Sequence, residues 1–175
     1  GSSNVMEYLG YQFSGDKDTL KRDLDRAGIC FIHAPLFNPA MKNVAPIRKE
    51  LGVKTFFNML GPMCNPAQPK NQLVGVFSLE LARLYAYLYQ QTDKNYSIIH
   101  ALGGYDEISL TSDVKTFSNK GESMYKVSDF GFEEISEEEI KGGVTVASSA
   151  EIFTNVLAGN GTIAQNNVVL CNAAL

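Results

Sequence analysis

The sequence has no tryptophan, two histidines and three cysteines in 175 residues. Cys30, Cys64 and Cys171 are odd in number and widely spaced, which fits neither a disulfide framework nor the close cysteine pairs of a zinc site. No apolar stretch approaches the roughly 20 residues of a membrane-spanning helix, and the N-terminus lacks the basic and then apolar regions of a signal peptide. We therefore expect a protein of the reducing cytoplasm with no membrane partner.

Clustered basic residues are also missing, and the formal net charge is −4. A nucleic-acid partner is therefore not expected, because such surfaces concentrate lysine and arginine. Apolar residues make up 45% and charged residues 19% of the chain, which is typical of one globular domain of this length. The acidic residues concentrate in 133–143, where we favour the solvated face of a helix.

The pattern of apolar residues predicts helices that alternate with strands. Strands are predicted at 29–34, 72–78 and 96–102, followed by an antiparallel pair around Gly121. Helices are predicted at 4–9, 16–27, 38–52, 79–92 and 133–143, and then two more up to the end of the chain, with Thr162 as the N-cap of the last. This alternation favours an α/β fold with a mainly parallel sheet flanked by helices.

Two adjacent acids, Asp106 and Glu107, follow the strand predicted to end at Leu102 and the glycines Gly103 and Gly104. In open α/β sheets, ligands gather at the carboxyl ends of the strands, where such loops converge. Neighbouring carboxylates in that place can hold a hard cation such as Mg²⁺ through their oxygens. A solvated acidic turn is the alternative, and the residues taken by themselves favour it.

Arg48 and the turn at Gly61 and Pro62 are the other candidates for ligand binding. Arg48 shares a predicted helix stripe with apolar residues, so its guanidinium needs an anionic partner or a route to water. An anionic ligand held by the guanidinium fork and a snorkelling surface arginine both stay open. The turn provides either an uncharged wall for a flat ligand or a rigid loop over the core.

Five segments of the chain together resemble the anthranilate phosphoribosyltransferase family. They are GSSNVMEYLG, NPAMKNVAPIRKELGVKTFFNMLGPMCNP, GGYDEIS, VSDFGFEEI and NGTIAQNNVVLCNAAL, and the long second segment is the most specific. The resemblance implies a catalytic domain of the nucleoside phosphorylase/phosphoribosyltransferase type. It also implies Mg²⁺-dependent transfer of a 5-phosphoribosyl group from phosphoribosyl pyrophosphate to anthranilate, a step of tryptophan biosynthesis.

The same resemblance implies roles for five residues of this chain. Arg48 would bind the carboxylate of anthranilate, and Gly61 and Pro62 would line the path of that substrate. Asp106 and Glu107 would bind Mg²⁺ on the pyrophosphate. No residue is expected to act as a general acid or base, because the amine of anthranilate is neutral at pH 7 and the rate would come from positioning and electrostatics.

The match is weaker at four other positions. Ser2 would be a contact of phosphoribosyl pyrophosphate if Gly1 and Ser2 belong to the natural chain. Asn38 stands at the mouth of the anthranilate channel, where the family often has histidine, and it keeps hydrogen bonding without a positive charge. Lys54 stands where the family often has arginine, and Cys64 where it often has threonine.

Parts of the family pattern have no counterpart in the chain. They are the Gly-Thr-Gly-Gly-Asp and Lys-His-Gly-Asn loops, which bind phosphoribosyl pyrophosphate, and the N-terminal helical domain, which makes the homodimer. We therefore expect residues 1–175 to be one partial catalytic domain, truncated at both ends and inactive by itself. The alternatives are a same-fold paralogue outside the tryptophan pathway, a relative of pyrimidine nucleoside phosphorylase, and a non-catalytic binding domain.

Overall fold

The computed structural model describes residues 2–38 and 61–175 of the chain. The chain divides into two compact units, Gly1–Gln68 and Pro69–Leu175. Within the described residues, no helix is both long and apolar enough to cross a membrane. Most of the helix predicted at 38–52, with Arg48, lies outside the described residues.

Among its described residues, the first unit contains three helices, α1 (Ser2–Tyr8), α2 (Lys17–Ala27) and α3 (Ala34–Phe37). The helix predicted at 16–27 is confirmed as α2, and both of its ends are capped. The carboxylate of Asp16 accepts hydrogen bonds from the backbone N–H and the hydroxyl of Thr19, at 2.9 and 2.8 Å. Gly28 ends the helix in the left-handed region, with φ of 71°, which a glycine adopts without steric cost.

The strand predicted at 29–34 is wrong, because residues 29–33 form no regular element and α3 begins at Ala34. The first unit offers this segment no strand partner among its described residues, so its backbone has no ladder to join. Its side chains enter an aromatic cluster instead. The Phe31 ring lies 5.0 Å from the Tyr11 ring, and the His33 ring stacks on Phe13 at 4.5 Å.

The second unit contains a four-stranded sheet in the order β1 (Asn71–Gly75), β2 (Asn95–Ala101), β3 (Val114–Ser118) and β4 (Gly121–Tyr125). β1 and β2 are parallel, and α4 (Leu79–Tyr89) connects them. β3 and β4 are antiparallel to their neighbours and form the predicted hairpin around Gly121. The predicted α/β class is confirmed, with a mixed sheet among the described strands.

α4 covers the sheet with one face. Ser78 caps its first turn by accepting a hydrogen bond from the backbone N–H of Leu81 at 3.3 Å. Tyr85 and Tyr89 are buried, whereas Tyr87 is exposed, as the helical period requires for residues two apart. On β2, His100 is buried, and its Nδ1 donates a hydrogen bond to the carbonyl of Val76 at 2.9 Å.

The C-terminal part of the second unit begins with two short 3₁₀ turns, Val127–Phe130 and Glu137–Ile140. Two helices follow, α5 (Val146–Leu157) and α6 (Ile163–Ala173), and the predicted N-cap of α6, Thr162, is confirmed. The acidic helix predicted at 133–143 is wrong, since only the second 3₁₀ turn forms there. The chain turns extended at Lys141, before two glycines that favour helix poorly.

The hydrophobic core of the second unit extends beneath the loop that follows β2. One buried cluster combines side chains of β2 and β3 with two residues of that loop, one of the first 3₁₀ turn and one of α6. Its members are Ile99, Ala101, Ile108, Leu110, Val114, Val127 and Cys171. The loop is therefore anchored in the core by its own apolar side chains rather than lying over the surface.

Candidate active site

The acid pair, Asp106 and Glu107, lies in the loop 102–113 at the carboxyl end of β2, as the sequence predicts. Both side chains are exposed. The base of the loop is closed by backbone hydrogen bonds: Ala101 N–H donates to the carbonyl of Tyr105 at 3.0 Å, and Leu102 N–H donates to that of Asp113 at 2.9 Å. The pair therefore stands on a short, closed turn.

Gly75, the last residue of β1, lies directly against the acid pair. A Cβ atom built on Gly75 would overlap the backbone carbonyl of Asp106, so a side chain at this position requires the loop to move. Close approach of this kind is a reason for a glycine inside a strand pattern. The carboxyl ends of both parallel strands thus meet at Asp106.

Asn172, in the last turn of α6, contacts the same loop at Ile108, immediately after the acid pair. Its side-chain oxygen accepts a hydrogen bond from the backbone N–H of Ile108 at 2.9 Å, and its side-chain nitrogen donates to the carbonyl of Ile108 at 2.8 Å. Ile108 is fully buried. The Asn172 amide therefore satisfies both backbone polar groups of a residue that none of the described strands pairs.

The two carboxylates of the acid pair have no charged partner within the part of the chain that the structure describes. That part holds two ion pairs, both elsewhere in the second unit, Lys115 with Glu122 and Lys141 with Glu138. The pair thus presents two negative charges to solvent at the edge where ligands of α/β proteins gather.

The donor set of the acid pair suits Mg²⁺, which prefers hard oxygen ligands. No group of three or more histidine, cysteine, aspartate or glutamate side chains that could hold a metal occurs among residues 2–38 and 61–175. Two carboxylates fill only part of an octahedral shell. That fits an ion completed by substrate phosphates and water, which is a common way for proteins to bind Mg²⁺.

The other predicted site residues are in the first unit. Ser2 is the exposed first residue of α1. Asn38 is the half-buried C-cap of α3, and its backbone N–H donates a hydrogen bond to the carbonyl of Ala34 at 2.9 Å. Gly61 and Pro62 begin a turn, and a Cβ on Gly61 would meet no described atom within 4 Å. Arg48 lies outside the described residues. Their assignment to a substrate site stays a prediction.

Two open grooves are lined by residues other than the acid pair. One of about 530 Å³ in the first unit is lined mainly by aromatic and apolar side chains, with Tyr11, Phe13 and His33 among them. The other, of about 650 Å³, is in the second unit at the amino ends of β1 and β2, beside Asn71 and Asn95. None of the predicted site residues lines either groove.

Sequence reasoning missed Gly75 and Asn172. Gly75 carried a signal, because a glycine interrupting the strand pattern QLVGVFS indicates close backbone approach, although not the residue that approaches. Asn172 follows the apolar run VVLC in the final helix, where a buried polar side chain needs a partner. That partner is 64 residues away, so only the folded chain identifies it.

The family model described as "Glycosyl transferase family, a/b domain" matches residues 1–175. The chain belongs to this family. An anthranilate phosphoribosyltransferase of Christiangramia forsetii is 67% identical over 175 residues, which cover 100% of this chain and 53% of that protein. The resemblance inferred from the five segments is thereby confirmed. The glycosyl transferase chain spans about half the length of the curated relatives it matches.

Solved structures agree with the family and with the fold. Anthranilate phosphoribosyltransferase from Saccharomyces cerevisiae in complex with PRPP and Mg has a TM-score of 0.82 and 28% identity, covering 97% of this chain and 48% of that one. The same yeast protein in complex with 4-fluoroanthranilate has a TM-score of 0.85 and 26% identity, covering 99% and 52%. The mixed sheet flanked by helices is thus the fold of these transferases.

Proposed function

We propose that this chain is part of an enzyme that transfers a 5-phosphoribosyl group from phosphoribosyl pyrophosphate to anthranilate. The products are N-(5-phosphoribosyl)anthranilate and pyrophosphate, and the reaction belongs to tryptophan biosynthesis. The observation that carries the proposal is 67% identity, over the whole chain, to an anthranilate phosphoribosyltransferase. The acid pair at the carboxyl edge of the sheet supports the same activity, because a pyrophosphate leaving group requires a charge partner.

Asp106 and Glu107 would hold the Mg²⁺ that accompanies phosphoribosyl pyrophosphate. When bound, the ion would neutralise the negative charge of the departing pyrophosphate. The chain contributes the position of the two carboxylates, which the closed turn and the contact with Gly75 fix at the ends of β1 and β2. The related yeast structure in complex with PRPP and Mg supports this assignment.

The anthranilate side of the reaction is assigned to residues of the first unit. Arg48 would bind the substrate carboxylate in a two-point fork. Gly61 and Pro62 would form an uncharged wall against the benzene ring. The pocket would then recognise the ring by its shape at one end and the carboxylate by its charge at the other. Asn38 would contribute hydrogen bonds at the channel mouth, and Ser2 a contact to phosphoribosyl pyrophosphate.

No residue of the chain is assigned a proton-transfer role. The amine of anthranilate is a neutral nucleophile at pH 7, so alignment of the two substrates and stabilisation of charge would supply the rate. Effective molarities of well-aligned groups are worth roughly 7–11 kcal/mol. That magnitude makes the geometry of the acid pair more important than its basicity.

The wider assignments belong to the same proposal. Residues 1–175 would be one partial catalytic domain of a longer cytoplasmic protein, whose other parts include the phosphate-binding loops and a helical domain that forms a homodimer. Neither a nucleic acid nor a membrane would be a partner. By itself the chain would be inactive, since the loops that grip the ribose and the pyrophosphate would be absent.

Steady-state kinetics of the full-length protein with Arg48→Ala test the substrate assignment. Loss of the guanidinium fork should weaken anthranilate binding by about 1.5–3 kcal/mol, seen as a KM for anthranilate roughly 10- to 150-fold higher. The KM for phosphoribosyl pyrophosphate should stay within about twofold. Arg26→Ala, at an exposed arginine of α2, is the control and should change neither constant.

Anthranilate fluorescence follows the reaction directly, because it is lost as the amine is glycosylated. An unchanged KM for anthranilate in the Arg48→Ala variant would remove Arg48 from the site. Absence of any product from the full-length wild-type protein with both substrates and Mg²⁺ would contradict the proposed activity itself and favour a non-catalytic relative.

A further inference from the structure

Asn172 is a polar residue whose side-chain amide makes three hydrogen bonds to backbone groups of the protein. Its side-chain nitrogen donates to the carbonyl of Ile108 at 2.8 Å and to that of Val168, one helical turn earlier, at 2.9 Å. Its side-chain oxygen accepts from Ile108 N–H at 2.9 Å. The bond within α6 fixes the amide plane, so the two bonds to Ile108 form a clamp of defined direction.

The clamp acts on the residue that follows the acid pair. Ile108 is fully buried and belongs to the core cluster, yet β2 ended seven positions earlier at Ala101. Its N–H and carbonyl therefore have no partner in the described strands, and buried backbone groups without partners are costly. An asparagine amide offers one acceptor and donors on the same rigid group, which neither an apolar residue nor a hydroxyl supplies in this geometry.

The acid pair is thus fixed from two sides by residues remote in sequence. Gly75 lies against the carbonyl of Asp106 at the start of the pair. Asn172 holds both backbone groups of Ile108 at its end. Neither contact uses a carboxylate, so the two acids keep their oxygens for a ligand while their backbone is immobilised.

We propose that Asn172 is the positioning residue of the acid pair, which it holds in the geometry that binds a divalent cation together with phosphoribosyl pyrophosphate. The inference rests on the proposed function, and it adds a residue on α6 that acts only through the backbone of Ile108. Asn172 itself lies behind the loop and is not a ligand. Its removal should loosen the pair without changing any charge.

Three variants of the full-length protein test this role. Asn172→Leu keeps the approximate shape of the side chain and deletes the clamp. Asn172→Ala removes the whole amide without adding a charge, and it carries the test if the leucine variant does not fold. Asn166→Ala is the matched control, because Asn166 is also a half-buried asparagine of α6 that donates to a backbone carbonyl, that of Gly161 at 3.1 Å, away from the loop.

Two readouts that do not depend on turnover are measured. Hydrogen–deuterium exchange of a peptide covering 103–110 reports the protection of the Ile108 amide. The fall of the free Mn²⁺ signal in electron paramagnetic resonance, with phosphoribosyl pyrophosphate present, reports cation binding. We expect faster exchange in 103–110 and about tenfold weaker Mn²⁺ binding in both Asn172→Leu and Asn172→Ala, and wild-type values in Asn166→Ala.

The outcomes separate this inference from the function on which it rests. Wild-type Mn²⁺ binding in both Asn172 variants overturns the positioning role, even when exchange is faster. Weak Mn²⁺ binding in Asn166→Ala equal to that in Asn172→Leu also overturns it, since the effect would then belong to α6 as a whole. If the wild-type protein binds no Mn²⁺, the proposed metal site fails, and unchanged exchange in 103–110 would still contradict the clamp.

Discussion

Two acidic stretches of the second unit differ in what their carboxylates contact. In the 3₁₀ turn Glu137–Ile140, the carboxylate of Glu139 accepts hydrogen bonds from the backbone N–H and the hydroxyl of Ser136, at 2.8 and 3.0 Å. Glu138 pairs with Lys141 at 3.1 Å. Every one of these contacts is made within six residues of chain, and all of them use the carboxylates.

The acid pair shows the opposite arrangement. The carboxylates of Asp106 and Glu107 are exposed and have no charged partner within the described ranges, 2–38 and 61–175. Their backbone, in contrast, is held by Gly75 and Asn172, which are distant in sequence. The number of acids therefore does not mark a metal site. A backbone held by distant residues, with carboxylates that have no charged partner among the described residues, distinguishes the pair from the 3₁₀ turn.

The largest expected effect is on the Mg²⁺ dependence of turnover. It should change when the acid pair is substituted and stay the same when the other acidic stretch is substituted. In the full-length protein, Asp106→Asn with Glu107→Gln should raise the Mg²⁺ concentration for half-maximal turnover by at least about tenfold, since even outer-shell partners of a metal are worth roughly 10–100-fold in affinity. Glu137→Gln with Glu138→Gln removes the same number of charges from the other stretch and should leave the titration unchanged.

A Mg²⁺ titration of turnover in the three proteins measures this difference. Both double substitutions are nearly isosteric, so the folded state should survive each of them. Equal titration curves for the wild type and for the Asp106 and Glu107 variant would indicate that the pair is only a solvated acidic turn. An equal shift in both variants would mean that net charge, and not position, controls the cation.

The next effect concerns the contact that places the acid pair at the end of β1. Gly75→Ala puts a methyl group where the carbonyl of Asp106 lies, so either the loop moves or the fold is strained. Overpacking of this kind costs about 1–3 kcal/mol. Gly142→Ala is the control, because a Cβ there meets nothing within 4 Å and its φ is not positive.

Thermal unfolding of the full-length variants checks the Gly75 contact. We expect a clear drop in midpoint for Gly75→Ala and a change within about 0.5 kcal/mol for Gly142→Ala. A Gly75→Ala protein with both wild-type stability and wild-type Mg²⁺ dependence would show that the approach of the two strands' ends is unimportant for the pair.

The smallest expected effect concerns the 3₁₀ turn Glu137–Ile140, whose carboxylates bond to residues close in sequence. Hydrogen bonds from the backbone N–H and hydroxyl of Ser136 hold the pKa of Glu139 below its ordinary value of 4.5. A depressed carboxyl pKa contributes stability above the unfolded-state value, and that contribution is lost as pH falls below about 4.5 through the lower, folded-state pKa. Protein stability near neutral pH should therefore not change with the protonation of this group.

Nuclear magnetic resonance titration of the Glu139 carboxyl measures that shift. The midpoint should lie below 4.5 in the wild type and move upward in Ser136→Ala, which removes the hydroxyl donor and keeps the backbone donor. A wild-type midpoint at or above 4.5 would contradict the local capping role and would weaken the contrast with the acid pair.

Local patterns predicted much of the second unit. The N-cap of α6, the hairpin at Gly121 and the place of Asp106 after a strand all follow from contacts within a few residues. Periodicity, turn residues and capping residues act at that range, so the sequence displays them directly.

The failures share a different cause. Residues 29–33 have apolar strand-like composition but no neighbouring strand, and 133–143 has helix-forming glutamates but too few apolar residues to pack. Gly75 and Asn172 act on a loop that is far away in sequence. Whether a segment finds a partner is decided by tertiary packing, and a single sequence does not show it.

A diffraction experiment on the full-length protein, crystallised with phosphoribosyl pyrophosphate and Mn²⁺, tests the central claim most directly. Anomalous scattering from Mn²⁺ locates the ion without reference to activity. The acid-pair account predicts an ion at about 2.0–2.6 Å from a carboxylate oxygen of Asp106 or Glu107, with Asn172 still bonded to Ile108. An ion bound to the pyrophosphate with both carboxylates left in solvent would contradict it.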